Sequence, residues 1–535
     1  MMVMDDNLKL LDCTLRDGGY INDWKFGNST IAAVYDRLGQ AGVDIIEIGF
    51  IDDRRQFDID RTIQPNTECL SKVFGSVREN NSMIVAMIDY GTCDISNLQP
   101  CEETILDGIR VIFKKQNMEG AVKYAEKIKE KGYRIFLNMV SITSYSDQDM
   151  LDFITMVNKI KPYAVSIVDT YGLMHREELF HYYDLLDYNL LPDINIGYHS
   201  HNNFQLAYSN TIELIKKKGN RGMIVDGTVY GMGKSAGNAP LELLAMYLNE
   251  NQGAEYDINE ILELIDTNIL SIYREKYWGY SFQYYVSALN DCHPSYVSYL
   301  SSKKTLSMKS VNEILSWIEP DKKLIYDGKY AEQLYLKYQS RFDIDSTCRH
   351  DLNGAFSGKN VLLIGPGHSI LTERNKIEKF IGDGGQVVVS INFLPNIYNI
   401  DYIFISNSKR YNSVFSEIRC RHPKVIATSN VTPILDSFDF VLNYEKLVLH
   451  EDGVEDNALL MILNMLSETS PLKVFLAGFD GFSEGLTPNY YDDSMYMSAD
   501  LERQQHSNAI VSKKIREFRK VLDIEFVTNS LYDTK

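Results

Sequence analysis

An alternation of apolar runs with amphipathic segments constrains the fold of the first half of this chain. Eight strand-like runs occupy residues 8–15, 44–50, 82–89, 108–113, 134–140, 164–169, 195–201 and 222–229, with helical patterns between them. Strand–helix alternation repeated eight times over about 240 residues predicts a closed parallel (β/α)8 barrel. The nearly continuous Ile and Val content of the runs is typical of strands that are buried on both sides.

Polar side chains stand at the ends of these runs. Arg16 and Asp17 follow the first run, Glu47 lies in the second, and His199 and His201 end the seventh. Catalytic residues of such barrels come from the carboxyl ends of the strands, so we expect these side chains to converge. Two histidines on one strand face and a carboxylate are a usual ligand set for a divalent metal, and mixed N/O donors favour Mg²⁺ or Mn²⁺. Arg16 adds a charged fork suited to an oxyanion or a carboxylate.

A glycine-rich segment, residues 226–242, follows the last run. Its glycines allow the backbone to approach a ligand closely, and we expect a loop that closes over the barrel mouth. Its spacing differs from that of a phosphate-binding P-loop. Asn238 in this segment is a candidate for a further oxygen ligand or for orienting the substrate.

The remainder of the chain predicts a helical extension and a second α/β domain. We expect the barrel to span residues 1–254, the helical extension and linker 255–350, and the second domain 358–535, with a polar, aperiodic linker at 341–358. The second domain has strand-like runs at 360–364, 386–391, 402–406, 424–428, 473–477 and 524–528, which predict a doubly wound, Rossmann-like parallel sheet. The glycine turn after its first strand suits an anionic ligand at a helix N-terminus, although the GxGxxG spacing of a standard NAD site is missing.

Composition excludes several classes of protein. A net charge of -19 argues against general binding of nucleic acid, which needs basic patches. No apolar run approaches the length of a membrane span, and the N-terminus lacks a signal-peptide pattern. The seven cysteines are scattered without CxxC spacing, which favours a cytoplasmic location and argues against structural zinc.

Three motifs carry a resemblance to a known family: LDCTLRDGG at 11–19, HSHNN at 199–203 and GMGKSAGNAPLE at 231–242. Together they resemble the 4-hydroxy-2-oxovalerate aldolases, which belong to the metallo-lyase barrel superfamily, over residues 8–300. The resemblance implies that Asp17, His199 and His201 hold a divalent metal, with Asn238 as a further ligand. It also implies that Arg16 stabilises the enolate of a metal-bound 2-oxo-acid.

The chain departs from this family at one position. The aldolases carry an acid/base histidine a few residues after LRD, whereas this chain has Tyr20 there, and a tyrosine is a poorer base at neutral pH. Tyr280 resembles a tyrosine in the helical extension of the aldolases and is a second candidate acid. Together with Arg16 and Glu47, these two tyrosines complete the predicted catalytic set.

The second domain resembles bacterial sialyltransferase-like and related carbohydrate-modifying domains, on the segments IGPGHSI, VSINFLP, YIFISNSKRY, LAGFDGF and FVTNSLY. This resemblance is less specific than the first. It implies a nucleotide or nucleotide-sugar site, and the matching positions are Gly365, Gly367, Ser369, Asn392 and Asp480.

These observations predict a divalent-metal-dependent aldolase whose partners are a small 2-oxo-acid and an aldehyde. A nucleotide sugar at the second domain would place the protein in the synthesis of a surface polysaccharide or of a 2-oxo-acid sugar. We expect a homo-oligomer. Two alternatives stay open: an acyl-CoA-dependent carboligase of the isopropylmalate synthase type, and a glycosyl or nucleotidyl transferase whose barrel only binds a ligand.

Overall fold

The computed structural model describes residues 7–75, 77, 80–303, 306–323, 325–339, 345–431, 438–449, 451, 454, 457–482, 490–491 and 501–534. The chain divides into two compact units, Met1–Pro294 and Ser295–Lys535. All seven cysteines are free thiols. Among the helices that are described, none combines the length and the apolar composition needed to cross a membrane.

The first unit contains the predicted barrel. Its strands are β1 (Leu8–Asp12), β2 (Ile45–Ile51), β3 (Ile63–Gln64), β4 (Met83–Asp89), β5 (Gly108–Phe113), β6 (Arg134–Met139), β7 (Ala164–Asp169), β8 (Asn195–Ser200) and β9 (Met223–Gly227). All pairings are parallel, and β1 pairs with both β9 and β2, which closes an eight-stranded barrel with the short β3 beside β2. The prediction of a (β/α)8 barrel is confirmed.

Helices surround this barrel. They are Gly19–Asn22, Asn28–Gln40, Thr67–Val73, Met118–Glu130, Asp147–Ile160, Arg176–Asn189, Ala207–Lys217, Leu241–Gln252, Ile258–Leu264, Leu270–Glu275 and Phe282–Leu289. The helix Asp147–Ile160 shows why they form here: Ser146 and Asp149 make a reciprocal capping box, and its apolar residues pack into the barrel core.

Strand alternation explains which side chains enter the barrel. In β2, Ile46 and Ile48 face the surrounding helices, whereas Ile45 belongs to a separate apolar cluster with residues of β1, β4, β6, β7 and β9. Glu47 therefore shares the inward face of Ile45. The same alternation turns Arg110, His199 and Asp226 inward. The barrel interior thus has an apolar layer and a layer of buried charge.

The second unit contains a seven-stranded parallel sheet. Its strands are β10 (Asn360–Ile364), β11 (Gln386–Ile391), β12 (Tyr402–Ile405), β13 (Lys424–Thr428), β14 (Phe440–Leu442), β15 (Lys473–Ala477) and β16 (Ile524–Phe526). Their order is β14-β13-β12-β11-β10-β15-β16, so the chain leaves β10 on one side and returns to its other side at β15. Leu363 and Leu362 belong to different core clusters, and apolar side chains therefore cover both faces of the sheet. The predicted parallel sheet is confirmed, and β14 is a strand that the prediction missed.

From residue 294 onward the chain contains ten α-helices among the described residues, and one of them lies where the linker was predicted. The helices from 294 onward are Pro294–Ser302, Met308–Leu315, Gly328–Gln339, Asp345–Phe356, Ser369–Thr372, Arg374–Gly382, Ser408–Arg421, Tyr444–Leu447, Ala458–Ser467 and Leu501–Phe518. The prediction of an aperiodic linker at 341–358 is therefore wrong for Asp345–Phe356, which is helical. Leu352 and Phe356 lie one turn apart on this helix and are fully buried in the core of the unit. The first part of that linker, 341–344, lies outside the described residues.

Candidate metal centre and active site

Asp17, His199 and His201 come together at the carboxyl end of the barrel strands. Their ligand atoms all lie within 4.8 Å of one another, and all three side chains are buried. His199 Nε2 is 3.6 Å from Asp17 Oδ2, and the two imidazole planes stand at 89°. A catalytic divalent metal is commonly held by three protein donors, with a further position left for water or substrate.

Two buried atoms beside this cluster are evidence that a cation fits there. His201 Nδ1 and Asn238 Oδ1 have no hydrogen-bond partner within the described part of the chain. Asn238 Nδ2 donates to Asp17 Oδ1 at 2.9 Å, so the amide already lies against the carboxylate. Buried polar atoms without partners are costly unless a ligand satisfies them. Asp17, His199, His201 and Asn238 together could hold the metal.

Asp226 fixes the orientation of His199. Its Oδ2 lies 3.0 Å from His199 Nδ1, which leaves Nε2 facing Asp17. A carboxylate behind a metal-binding histidine sets its tautomer and ring position. Cys13 lies 3.9 Å from the same Nδ1, but burial raises the pKa of its thiol well above the usual value, so the cluster of Cys13, His199 and Asp226 is the weaker metal site.

The surroundings of the cluster shift the pKa of each of its three side chains. Burial disfavours the charged form of Asp17, yet Arg16 and the two histidines hold the pKa of that carboxyl well below its usual range. Burial lowers the pKa of His201 to about 4, against the opposing effect of Asp17. For His199 the hydrogen bonds to Asp17 and Asp226 outweigh burial and raise the pKa. A charged carboxylate beside a neutral His201 is the protonation state that metal binding requires.

Arg16 is held by two carboxylates and keeps one donor unused. Its Nε donates to Glu47 Oε2 at 2.7 Å, and Nη1 donates to Asp17. Its Nη2 is buried without a hydrogen-bond partner in the described structure. Arg110 Nη1 donates to the same Glu47 oxygen at 3.1 Å. Arg16 is therefore fixed in position with a free N–H group beside the cluster.

The glycine-rich segment passes directly over Asp17. The backbone N–H of Lys234 donates to Asp17 Oδ1 at 3.1 Å. A Cβ atom on Gly233 would lie 2.1 Å from Asn238 Nδ2 and 2.6 Å from Asp17 Oδ1, so only glycine allows this approach.

The two predicted tyrosines occupy different places. Tyr20 lies at the rim of the mouth, 42% exposed, with its ring 4.8 Å from that of Trp24. Desolvation of its hydroxyl and the charge of Asp17 raise its pKa above the ordinary value. Tyr280 is 53% exposed, and its described hydrogen bond is one that its backbone oxygen accepts from Tyr277. Within the described contacts, the structure brings Tyr20 but not Tyr280 to Asp17.

The predicted residues of the second unit are only partly brought together. Gly367, Asn392 and Asp480 line a cavity of about 260 Å³, together with Pro366, Ile391, Arg410, Asn457, Ala458, Leu459, Gly478, Phe479, Gly481, Phe482, Tyr490 and Tyr532. This cavity lies at β10 and β15, where the order in which strands are added to the sheet reverses, and this is the usual position of a ligand in an open parallel sheet. Gly365 instead packs on Gly478 and Phe479, and Ser369 is buried behind Asp480.

An anion at the helix that follows the glycine turn is not supported. That helix, Ser369–Thr372, is a single turn, and the Ser369 N–H already donates to Asp480 Oδ2 at 2.8 Å, while its hydroxyl donates to Oδ1. The carboxylate of Asp480 therefore takes the place that a phosphate would need.

Two residues of the barrel site were missed at the sequence level. Arg110 is fully buried in the middle of β5 and joins Glu47 to Asp226. A charged residue inside an otherwise apolar strand is a usable signal, because a buried charge needs partners. Asp226, a buried carboxylate within β9, gives a second signal of the same kind.

Comparisons with known proteins agree with this architecture. The HMGL-like family model matches residues 7–269. An oxaloacetate decarboxylase of Mycobacterium tuberculosis is 23% identical over 285 residues, which are 52% of this chain and 82% of that protein. A 4-hydroxy-2-oxovalerate aldolase of Salinispora arenicola is 26% identical over 271 residues, 49% of this chain and 75% of that one.

The solved structures that match include the N-terminal domain of a putative aldolase from Bacteroides vulgatus. It is 24% identical, with a TM-score of 0.48, and the alignment covers 57% of this chain and 99% of that domain. The match to the HMGL-like family model thus covers the barrel, residues 7–269, and slightly less than half of the 535-residue chain.

Proposed function

We propose that the barrel is a divalent-metal-dependent aldolase that forms or breaks a carbon–carbon bond next to a 2-oxo-acid, through its enolate. The observation that carries this proposal is the unused Arg16 Nη2 beside the buried cluster of Asp17, His199 and His201. A bound Mg²⁺ or Mn²⁺ would act as a Lewis acid on the oxygens of the 2-oxo-acid. The similarity to 4-hydroxy-2-oxovalerate aldolases supports the same reaction class.

The residues of the chain have separate roles in this proposal. Arg16 donates from Nη2 to the oxygen that gains negative charge, and Glu47 keeps the guanidinium in place. Tyr20, at the rim near Asp17, transfers the proton at the hydroxyl that derives from the aldehyde. Tyr280 is left as a distant second candidate, since its described contacts do not reach the cluster.

Exchange of the methyl protons of pyruvate with deuterated water tests this function. The full-length protein with Mn²⁺ should catalyse the exchange, as followed by proton NMR, and a chelator should abolish it. Release of free thiol from an acyl-CoA during turnover with a 2-oxo-acid would favour the acyl-CoA-dependent carboligase instead. Transferase activity that survives the loss of the metal ligands would favour a barrel that only binds a ligand.

We also propose that the second unit binds a nucleotide or a nucleotide sugar, which would connect the aldolase to the synthesis of a surface polysaccharide. The supporting observation is the cavity between β10 and β15, whose lining combines Arg410, Asn392 and the aromatic ring of Tyr490. Because Asp480 occupies the glycine turn, the phosphate would lie on the Arg410 side. A panel of nucleotides tested by thermal shift on the full-length protein and on Arg410→Met addresses this, and no stabilisation by any nucleotide would contradict it.

A further inference from the structure

Lys234 holds a positive charge at the barrel mouth without a carboxylate partner among the described residues. Its side chain is partly buried, and the described part of the chain gives it no salt bridge. The Nζ atom stands over the ring of Tyr20, 5.5 Å from the centroid. Its backbone N–H is bound to Asp17, so the residue is anchored next to the cluster.

Two arginines at the same end of the barrel are paired with carboxylates. In the loop after β2, Arg54 pairs with Asp52 at 2.6 Å and Arg55 lies 3.6 Å from Asp23. Lys234 differs from them because no described carboxylate forms a salt bridge with its ammonium group. Desolvating an ammonium group without a salt bridge is costly. Such a group is typical of a site that receives an anionic ligand.

A second lysine adds to this positive charge. Lys114 follows β5 directly, is exposed and has no ion pair within the described part of the chain. Burial, with the charges of Lys234 and Lys114, lowers the pKa of His293 to about 4. Lys114 follows β5 and Lys234 lies in the segment after β9, so both stand at the carboxyl end of the barrel strands, and we call the pair the cationic patch.

The patch lies outward from the cluster. Arg16 and the metal ligands are buried, whereas Lys234 is partly exposed and Lys114 is exposed. The 2-oxo-acid, bound at the cluster with Arg16, would occupy the inner position. A second reactant that enters from the rim would pass Tyr20 and Lys234.

We propose that Lys234, assisted by Lys114, binds an anionic group on the acceptor aldehyde, so that the second substrate carries a phosphate or a carboxylate. This inference rests on the proposed aldolase function. In the addition, C3 of the enolate forms the new bond to the aldehyde carbon, and the carbonyl electron pair moves to its oxygen, which takes a proton. No oxidant or reductant is needed.

Three acceptors separate the charge requirement from the chemistry: D-glyceraldehyde 3-phosphate, succinic semialdehyde and propionaldehyde. With pyruvate and Mn²⁺, the wild-type protein should prefer one of the two anionic aldehydes, which also distinguishes phosphate from carboxylate. In Lys234→Met, kcat/KM for that aldehyde should fall about 10- to 100-fold, the usual effect of losing a charged hydrogen bond. For propionaldehyde the change should stay below about 3-fold. Lys234→Arg should restore part of the loss.

Lys115→Met is the matched control, because Lys115 adjoins Lys114 but pairs with Asp149 at 2.6 Å. It should leave all three rates unchanged. An equal loss for all three aldehydes in Lys234→Met, or a wild-type preference for propionaldehyde, would overturn the inference. So would a loss of pyruvate proton exchange as large as the loss with the anionic aldehyde, because the lysine would then bind the 2-oxo-acid.

Binding measurements distinguish failure of this inference from failure of the aldolase function. Calorimetric titration of the Mn²⁺-loaded protein with D-glyceraldehyde 3-phosphate and with succinic semialdehyde should show affinity for the preferred aldehyde that Lys234→Met weakens and Lys115→Met does not. If this holds while no pyruvate exchange occurs, the anion site stands and the aldolase proposal fails. If pyruvate exchange occurs without Lys234-dependent binding, the aldolase proposal stands and the anion site fails.

Discussion

At the scale of single residues, the cluster gives a direct test of metal binding. His199→Ala and His201→Ala should each abolish high-affinity Mn²⁺ binding, because each removes one of the buried donors. Asp226→Asn should weaken the affinity about 10- to 100-fold, since it loosens the ring of His199 without removing a donor. Calorimetric titration measures this, with His181→Ala, an exposed histidine paired with Asp147, as the control. Unchanged affinity in both cluster variants would disprove the site.

Arg16 allows a second test at this scale. Arg16→Lys keeps the positive charge but loses the planar fork that bonds Glu47 and Asp17 while presenting Nη2. We expect the rate of pyruvate proton exchange to fall by about 10²- to 10³-fold, as it does when an oxyanion donor is lost. Circular dichroism should show an intact fold. Exchange within a factor of about two of wild type would contradict the role of Arg16.

At the scale of elements, the helix Asp345–Phe356 is held by few residues. Leu352 and Phe356 are fully buried, whereas Asp351, which directly precedes Leu352, is exposed. Leu352→Ala should lower the free energy of unfolding by about 2–5 kcal/mol, the usual cost of a large-to-small change in a core. Asp351→Ala should stay within about 0.5 kcal/mol. Urea denaturation followed by circular dichroism measures both, and equal values for the two would mean that the helix does not depend on its buried face.

At the scale of the whole molecule, we expect the two compact units to be separable. Each has its own core clusters, and residues 1–294 contain the entire metal cluster and Arg16. A fragment of residues 1–294 should therefore be soluble, melt cooperatively and retain pyruvate proton exchange. Residues 295–535, with their own seven-stranded sheet, should also fold alone. A fragment that folds but loses exchange would show that catalysis needs both units.

The sequence predicted the elements that repeat a strong pattern. The eight barrel strands are continuous apolar runs. The proximity of Asp17, His199 and His201 was predictable because the ends of parallel strands meet at one mouth. β14 was missed because three residues carry too little pattern. The helix Asp345–Phe356 was missed because its apolar positions are sparse.

The contacts between side chains that are distant in the sequence could not be predicted. The sequence does not show that Arg110 joins Glu47 to Asp226, because 116 positions separate Arg110 from Asp226. It also does not show that Asp480 covers the glycine turn at Ser369, which lies 111 positions earlier. Tyr280 lies in a segment that resembles an aldolase site, yet its described hydrogen bond is with Tyr277. Such relations depend on how loops close, which single-sequence patterns do not specify.

The buried network around Arg110 also sets a charge balance for the barrel interior. Two guanidinium groups, Arg16 and Arg110, face three carboxylates, Asp17, Glu47 and Asp226. With neutral histidines these five side chains have a net charge of about -1. A bound divalent cation changes the net charge to about +1, and a monoanionic 2-oxo-acid then brings it to zero. Metal and substrate should consequently bind in that order, with pyruvate showing measurable affinity only after Mn²⁺ is present.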